Sequence, residues 1–136
     1  MDTTSTHIMC ELGGCNPQTL NDLAPIKKAM RAAAAAANCT VLGENYHQFT
    51  PVGISALFFL AESHFSLHTW PESGYVAVDI YTCGRRAKPH DAIEILAEAF
   101  EAQSVQVVDI KRGVPVGDGV FTCKIRPARK YAFSKA

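Results

Sequence analysis

The sequence predicts an α/β fold: a two-layer α/β sandwich with a mostly antiparallel sheet and two covering helices, built from two β-α-β-β-like halves. Three observations predict it. Short apolar segments with strand character recur along the chain, several of them separated by turn sequences such as TPVG and PESG. Two other segments place apolar residues at helical spacing: Leu23, Ile26, Met30, Ala33 and Ala37 in one, Ile93, Leu96, Ala97 and Phe100 in the other. The 136 residues, 48% apolar and 19% charged, suit one domain with one modest core rather than a disordered chain.

Taken in order, THIMCELGG reads as the first strand, with Gly13 and Gly14 as a flexible stop. NPQTLNDLAPIKKAMRAAAAAAN reads as one helix in which Pro25 is tolerable only in the first turn. Its alanine run has high helix propensity and small side chains that pack closely on a sheet, and Asn38 is its stop. CTVLGENYHQF and ISALFFLA flank TPVG as a hairpin, and HFSLHTW and YVAVDIYTCG flank PESG as another. HDAIEILAEAF is a short helix with proline just before it, and SVQVVDIKRG is a further strand. From VPVGDG onward the pattern weakens. Each helix can cover one face of the sheet, but two short helices are not expected to complete the coverage, which favours a homodimer over a monomer.

Thirteen basic residues balance thirteen acidic ones, so neither nucleic acid nor an anionic membrane is expected as a main partner. Lys124, Arg126, Arg129 and Lys130 form a basic cluster that reads as a solvated tail rather than an anion site. The opening MDTTSTHIMCEL has no basic region followed by an apolar run, so no secretory signal is expected, and GISALFFLA is too short to span a bilayer. Cysteines at 10, 15, 39, 83 and 123 make an odd set without a CxxC pair, as in a cytoplasmic protein with reduced thiols. Cysteines and histidines form no closely spaced ligand pairs, so no metal is expected.

Chemistry concentrates in AESHFSLHTWP. If PESG joins antiparallel strands with Trp70 opposite Tyr75, His68 pairs with Ala77, Ser66 with Asp79 and Glu62 with Cys83. That register brings Cys83 beside the Glu62–Ser63 peptide bond. His64, Ser66, His68 and Trp70 share one face of the strand. Ser63 has the wrong parity to join them, so a meeting of Ser63 with His68 would need a bend or bulge near AES. Each residue also has an ordinary explanation: a strand-end cysteine as a small hydrophobe, a hydrogen-bonded strand histidine, and packing for Phe49 and Trp70. Hydrolysis through Ser63 and His68, or through Cys83 and His68, is conceivable, but there is no G-x-S-x-G elbow and no placed third member.

ESHFSLHTWPESGY followed by VAVDIYTCG resembles the short prokaryotic S-adenosylmethionine decarboxylase proenzymes, which are pyruvoyl-dependent. The resemblance continues through CELGGCNPQTLND, ENYHQFTPVGIS, the second helix and VVDIKRG, over roughly residues 6–113. It implies a single domain, 1–136, that cuts itself between Glu62 and Ser63 into chains 1–62 and 63–136. Ser63 would attack the preceding carbonyl and become a pyruvoyl group, the one cofactor, with no metal or pyridoxal phosphate. His68 would move the proton of the elimination, and Ser55 would support the ester-forming step. In turnover the pyruvoyl ketone would form a Schiff base with the substrate amine, and Cys83 would reprotonate the decarboxylated carbon as general acid. Phe49 and Trp70 would flank the adenine, and Glu72 would accept from the ribose hydroxyls. The product would be S-adenosyl 3-(methylthio)propylamine, a donor of aminopropyl groups for spermidine synthesis.

The resemblance further implies a homodimer of cleaved protomers with its active sites at the interface. Gly13–Gly14 departs from the aromatic–glycine pair usual in the family, a change expected to alter packing near the pocket. Pyruvoyl-dependent arginine or ornithine decarboxylases share the fold and the maturation chemistry and form the main alternative. A non-catalytic regulatory paralogue is the other, but such a protein commonly loses the processing serine or the catalytic cysteine, and both Ser63 and Cys83 are here.

Overall fold

In the computed structural model, which describes residues 2–126 and the backbone of 129–131, one antiparallel sheet carries the whole chain. Its strands are β1 (Ser5–Gly13), β2 (Val41–Gln48), β3 (Ile54–Leu60), β4 (Ser63–Trp70), β5 (Tyr75–Cys83), β6 (Ser104–Gly117), β7 (Val120–Ile125) and β8 (Arg129–Tyr131). They lie in the order β2-β3-β4-β5-β1-β6-β7, and β8 also pairs with β6. Three helices, α1 (Pro17–Leu20), α2 (Leu23–Ala36) and α3 (Pro89–Ala99), complete the fold. In chain order β1-α2-β2-β3 and β5-α3-β6-β7 are the two β-α-β-β units, with β4 between them.

The expected first helix is in fact two. Asn16 and Asp22 each accept a bond from the backbone two residues on, so each caps its own helix. Asn21 between them turns its side chain to the Gly53 amide instead of continuing the helix. Pro25 then falls in the first turn of α2, where its missing N–H is harmless. Ile26, Met30, Ala33 and Ala37 are buried, as are Ile93, Leu96, Ala97 and Phe100 of the second helical segment. Burying each large aliphatic chain is worth roughly 1.5–3 kcal/mol, while the alanines let α2 lie close to its neighbours. Asn38 ends the segment at φ 56°, and its neighbour Ala37 accepts from the Lys88 amide, tying the end of α2 to the start of α3.

Both helices sit on one face of the sheet. Ile8, Cys10 and Leu12, Ala56 and Phe58, Phe65 and Leu67, and Val76, Val78 and Ile80 point into that layer and are buried. The alternate residues, among them His7, Met9, Leu57, Phe59, His64, His68 and Asp79, face away onto a side that no element among the described residues covers. Met9, Leu57 and Phe59 are 48%, 53% and 66% exposed there. The chain beyond VPVGDG forms a hairpin, β6–β7, turning at Asp118–Gly119. Of the basic cluster, Lys124 and Arg126 are exposed, and the side chains of Arg129 and Lys130 lie outside the described residues. Among the described residues no helix is long and apolar enough to cross a membrane.

Candidate active site

The β4–β5 hairpin sets the site. Pro71 opens a single 3-10 turn, Pro71–Ser73, and Gly74 closes it at φ 59°. A side chain at Gly74 would be strained there, and its Cβ would lie 3.0 Å from the Cys15 carbonyl oxygen. The turn fixes the register as the sequence implies: Trp70 faces Tyr75, His68 faces Ala77, Ser66 faces Asp79 and Ser63 faces Thr82. One step further, the Cys83 N–H donates to the Glu62 carbonyl at 2.9 Å, and the Cys83 thiol reaches the same oxygen at 3.1 Å. The Glu62 side chain accepts from the Thr40 amide at 2.9 Å, and the Ala61 amide donates to the Thr40 carbonyl. The peptide bond between Glu62 and Ser63 is thus pinned on its carbonyl side.

Ser63 itself has φ 148°, a conformation that residues with a Cβ avoid at a cost of roughly 1–3 kcal/mol. Its neighbours in the ladder are Leu60 and Thr82, so it is held inside the sheet rather than in a free loop.

Ser55 and His68 form a second centre. They face each other across β3 and β4, and Ser55 Oγ lies 2.7 Å from His68 Nδ1. This pair is not at Ser63. The β4 register runs unbroken against β3 and β5, without the bulge that a meeting would need. Ser63 and His68 are five steps apart along the strand, which is about 16 Å. A groove of about 620 Å³ on the bare face is lined by Ser55, His68, Phe59, His64 and Asp79, among others, but not by Ser63 or Cys83.

Phe49 lies in the β2–β3 turn, its N–H donating to the Gly53 carbonyl and its ring edge-on to His47. Trp70 stacks on Tyr75 with ring centroids 5.0 Å apart, and Glu72 stands exposed in the turn between them. Tyr75 donates its hydroxyl to Glu11. Burial and then this bond push the phenol up to about 12. Tyr75 and Glu11 were not among the residues singled out from sequence, although Tyr75 was the register partner assigned to Trp70.

A third group gathers two histidines around the Ser66–Asp79 pair that the register implies. Asp79 Oδ2 accepts from His7 Nε2 at 2.8 Å and from His64 Nε2 at 3.2 Å, and Ser66 donates to the other oxygen. Burial alone would raise the Asp79 carboxyl, but the bonds from Ser66, His7 and His64 hold it below its usual value. Among the described residues this is the one set of three His, Cys, Asp or Glu ligand atoms within 4.8 Å of one another. The donors do not suit a metal. The Arg112 guanidinium can only donate, and it reaches His7 Nδ1 at 3.3 Å, so the His7 proton sits on Nε2, the atom a cation would need. The set is a hydrogen-bond network.

The family model described as S-adenosylmethionine decarboxylase matches residues 6–113. The S-adenosylmethionine decarboxylase proenzyme of Thermodesulfovibrio yellowstonii is 45% identical over 114 residues, 84% of each chain. That of Pyrococcus abyssi is 42% identical over 122 residues, 90% of this chain and 88% of the other. The crystal structure of the adenosylmethionine decarboxylase from Aquifex aeolicus superposes with a TM-score of 0.73 at 31% identity, over 80% of this chain and 90% of that one.

Proposed function

The chain belongs to the S-adenosylmethionine decarboxylase family, and from that premise we propose which of its residues cut the chain, which turn over the substrate, and where two copies meet. It is a carboxy-lyase, matured from a proenzyme, that decarboxylates S-adenosylmethionine in support of polyamine synthesis. The pyruvoyl group supplies a ketone that condenses with the substrate amine and takes up electron density as carbon dioxide leaves.

The observation that carries the residue assignment is the geometry of one carbonyl. Two donors of Cys83, N–H and S–H, converge on the Glu62 oxygen, and the next residue is a serine held at φ 148°. Attack of Ser63 Oγ on the Glu62 carbonyl carbon puts negative charge on that oxygen, where the two donors already point. The C–N bond then breaks, the amide becomes an ester, and the serine nitrogen takes up a proton. Removal of the Ser63 Cα proton expels Glu62 as a carboxylate, and water replaces the nitrogen as ammonia. The result is chain 1–62 and chain 63–136 headed by pyruvoyl. Nothing but Ser63 and water is consumed, so the residues present suffice for the group.

His68, carrying the proton of the elimination, and Ser55, bonded to it, belong to this maturation. In turnover the Cys83 thiol stands beside the new terminus and delivers the proton that replaces carbon dioxide. Trp70, backed by Tyr75 on one ring face, offers its other face to the adenine, with Phe49 as the second aromatic and Glu72 for the ribose hydroxyls.

The separation of Ser63 from His68 gives the homodimer a chemical reason. A two-fold axis crossing β4 midway between them, with the bare faces packed together, lays His68 of one copy over the main chain at Ser63 of the other, where the Cα proton has to be taken. Phe59 and Leu57 pair with His64 and Ser66 on β4, and Met9 pairs with Asp79 on β5. The exposed apolar side chains therefore fall in the same band as that axis. We place the protein in the cytoplasm, where its cysteines stay reduced.

Intact mass under denaturing conditions tests the cleavage. Two chains dividing between Glu62 and Ser63, the second ending in pyruvoyl rather than an amine, are expected. A chain that stays whole after prolonged incubation would sink the assignment.

A further inference from the structure

Resting on the cleavage reading above, we propose that Asp79 is a positioning residue for chain cleavage, acting through His64 on the backbone of Ser63. His64 directly follows Ser63, and its Nε2 is bonded to Asp79. The His7 and Tyr81 rings stand against the His64 ring, with centroids 5.8 and 5.7 Å away. Asp79 on β5 is itself held by Ser66 from β4 and His7 from β1. Arg112 from β6 fixes the tautomer of His7 and lies 4.5 Å over the Tyr81 ring. Four strands thus converge on the residue that follows the strained serine.

A strained φ persists only where both flanks are over-determined. On the Glu62 side the bonds from Cys83 and Thr40 do this. On the other side the ladder pairs His64 with Phe59 and Tyr81, and the side-chain anchor added to it is Asp79. Asp79 touches none of the reacting atoms, so its effect passes through His64. Loss of the anchor lets Ser63 relax toward ordinary strand geometry, and Oγ swings away from the Glu62 carbonyl carbon. Displacement on the order of 1 Å costs such a reaction up to about 100-fold.

The test uses full-length precursors refolded from denaturant: wild type, D79N, H64A, H64Q and D79N/H64A. Cleavage is followed by intact mass and folding by circular dichroism. D79N and H64A are each expected to cut roughly 10- to 100-fold more slowly, and the double variant no more slowly than the slower single one. H64Q, whose amide nitrogen can occupy the place of Nε2, is expected to recover most of the wild-type rate, which a purely packing role for the ring would not predict. Wild-type rates in D79N, multiplicative losses in the double variant, or H64Q as slow as H64A would each overturn the proposal. If D79N does not fold, H64A against H64Q still decides. A wild-type chain that never cuts overturns the cleavage reading instead, and this proposal with it.

Discussion

Cys83 serves the Glu62 carbonyl with two different donors, and they separate by mutation. Cys83→Ala removes the thiol but keeps the backbone N–H, so self-cleavage is expected to continue at a reduced rate. Turnover of S-adenosylmethionine by the cut C83A protein should fall by about 10²–10⁴, the range of a lost general acid. Both follow from one preparation, by intact mass and by carbon dioxide release. Asp79 makes a prediction of another kind. Its carboxyl titrates lower in the folded protein than its ordinary value near 3.9. Its contribution to stability is therefore complete above about pH 4 and is lost as pH falls through the lower folded value. Urea denaturation of uncut protein in an S63A background should show stability falling more steeply below pH 4 with Asp79 than with Asn. Equal slopes would mean that the bonds from Ser66, His7 and His64 do not hold the charge. The approach of Cys83 to the Glu62–Ser63 bond was legible in the sequence because it follows from one hairpin, whereas the roles proposed for Ser63 and His68 rest on the resemblance. Of the Asp79 network only the Ser66–Asp79 pairing was legible: His7 lies 72 residues away on β1, and nothing local says that β1 inserts beside β5.

The hairpin is the element on which the site depends, and its register was readable because a turn of fixed length leaves little choice. Once PESG is the turn, every pair from Trp70–Tyr75 to Ser63–Thr82 follows by counting. The break between α1 and α2 could not be counted, since it depends on Asn21 reaching the amide of Gly53, in the β2–β3 turn. The tail hairpin likewise has little apolar pattern to read, because β7 is exposed along its whole length. The weight placed on the turn is testable at Gly74. Gly74→Ala must accept a left-handed φ and a Cβ 3.0 Å from a backbone oxygen, which costs about 1–2 kcal/mol for the conformation alone. In an S63A background, where the chain stays in one piece and unfolding can be two-state, the urea midpoint should fall accordingly. The same substitution in the cleavable chain should slow cutting, because the turn sets the distance of Cys83 from Glu62. A stable G74A protein cutting at the wild-type rate would show that the register is held elsewhere along the ladder.

At the scale of the molecule, the sheet has one face covered by helices and one that is bare among the described residues; His68 and Cys83 have the parity of the bare face, while Ser63 pairs with the buried Leu60 and Thr82. The sequence suggested incomplete coverage from the helix count, but not that both helices share a face. The proposed face-to-face pairing of two such sheets would account for three things together: the separation of Ser63 from His68, the apolar band of Met9, Leu57 and Phe59, and a groove that stops short of Cys83. In the proposed two-fold dimer each contact is repeated, which would give two composite sites, each taking Ser63 from one copy and His68 from the other. Variants distinguish this from a site within one chain. S63A alone cannot cut, and H68A alone should cut about 10²–10⁴ more slowly than wild type. When the two are refolded together in equal amounts, roughly half of the H68A chains should find an S63A partner if pairing is random. Those chains have their own serine and a partner's histidine, so they should cut at close to the wild-type rate, while S63A chains stay whole. A mass tag on one variant identifies which chain is cut, and light scattering confirms that mixed dimers form. Mixed dimers without rapid cutting of H68A would place the histidine and serine in the same chain, and would require β4 to bend during maturation.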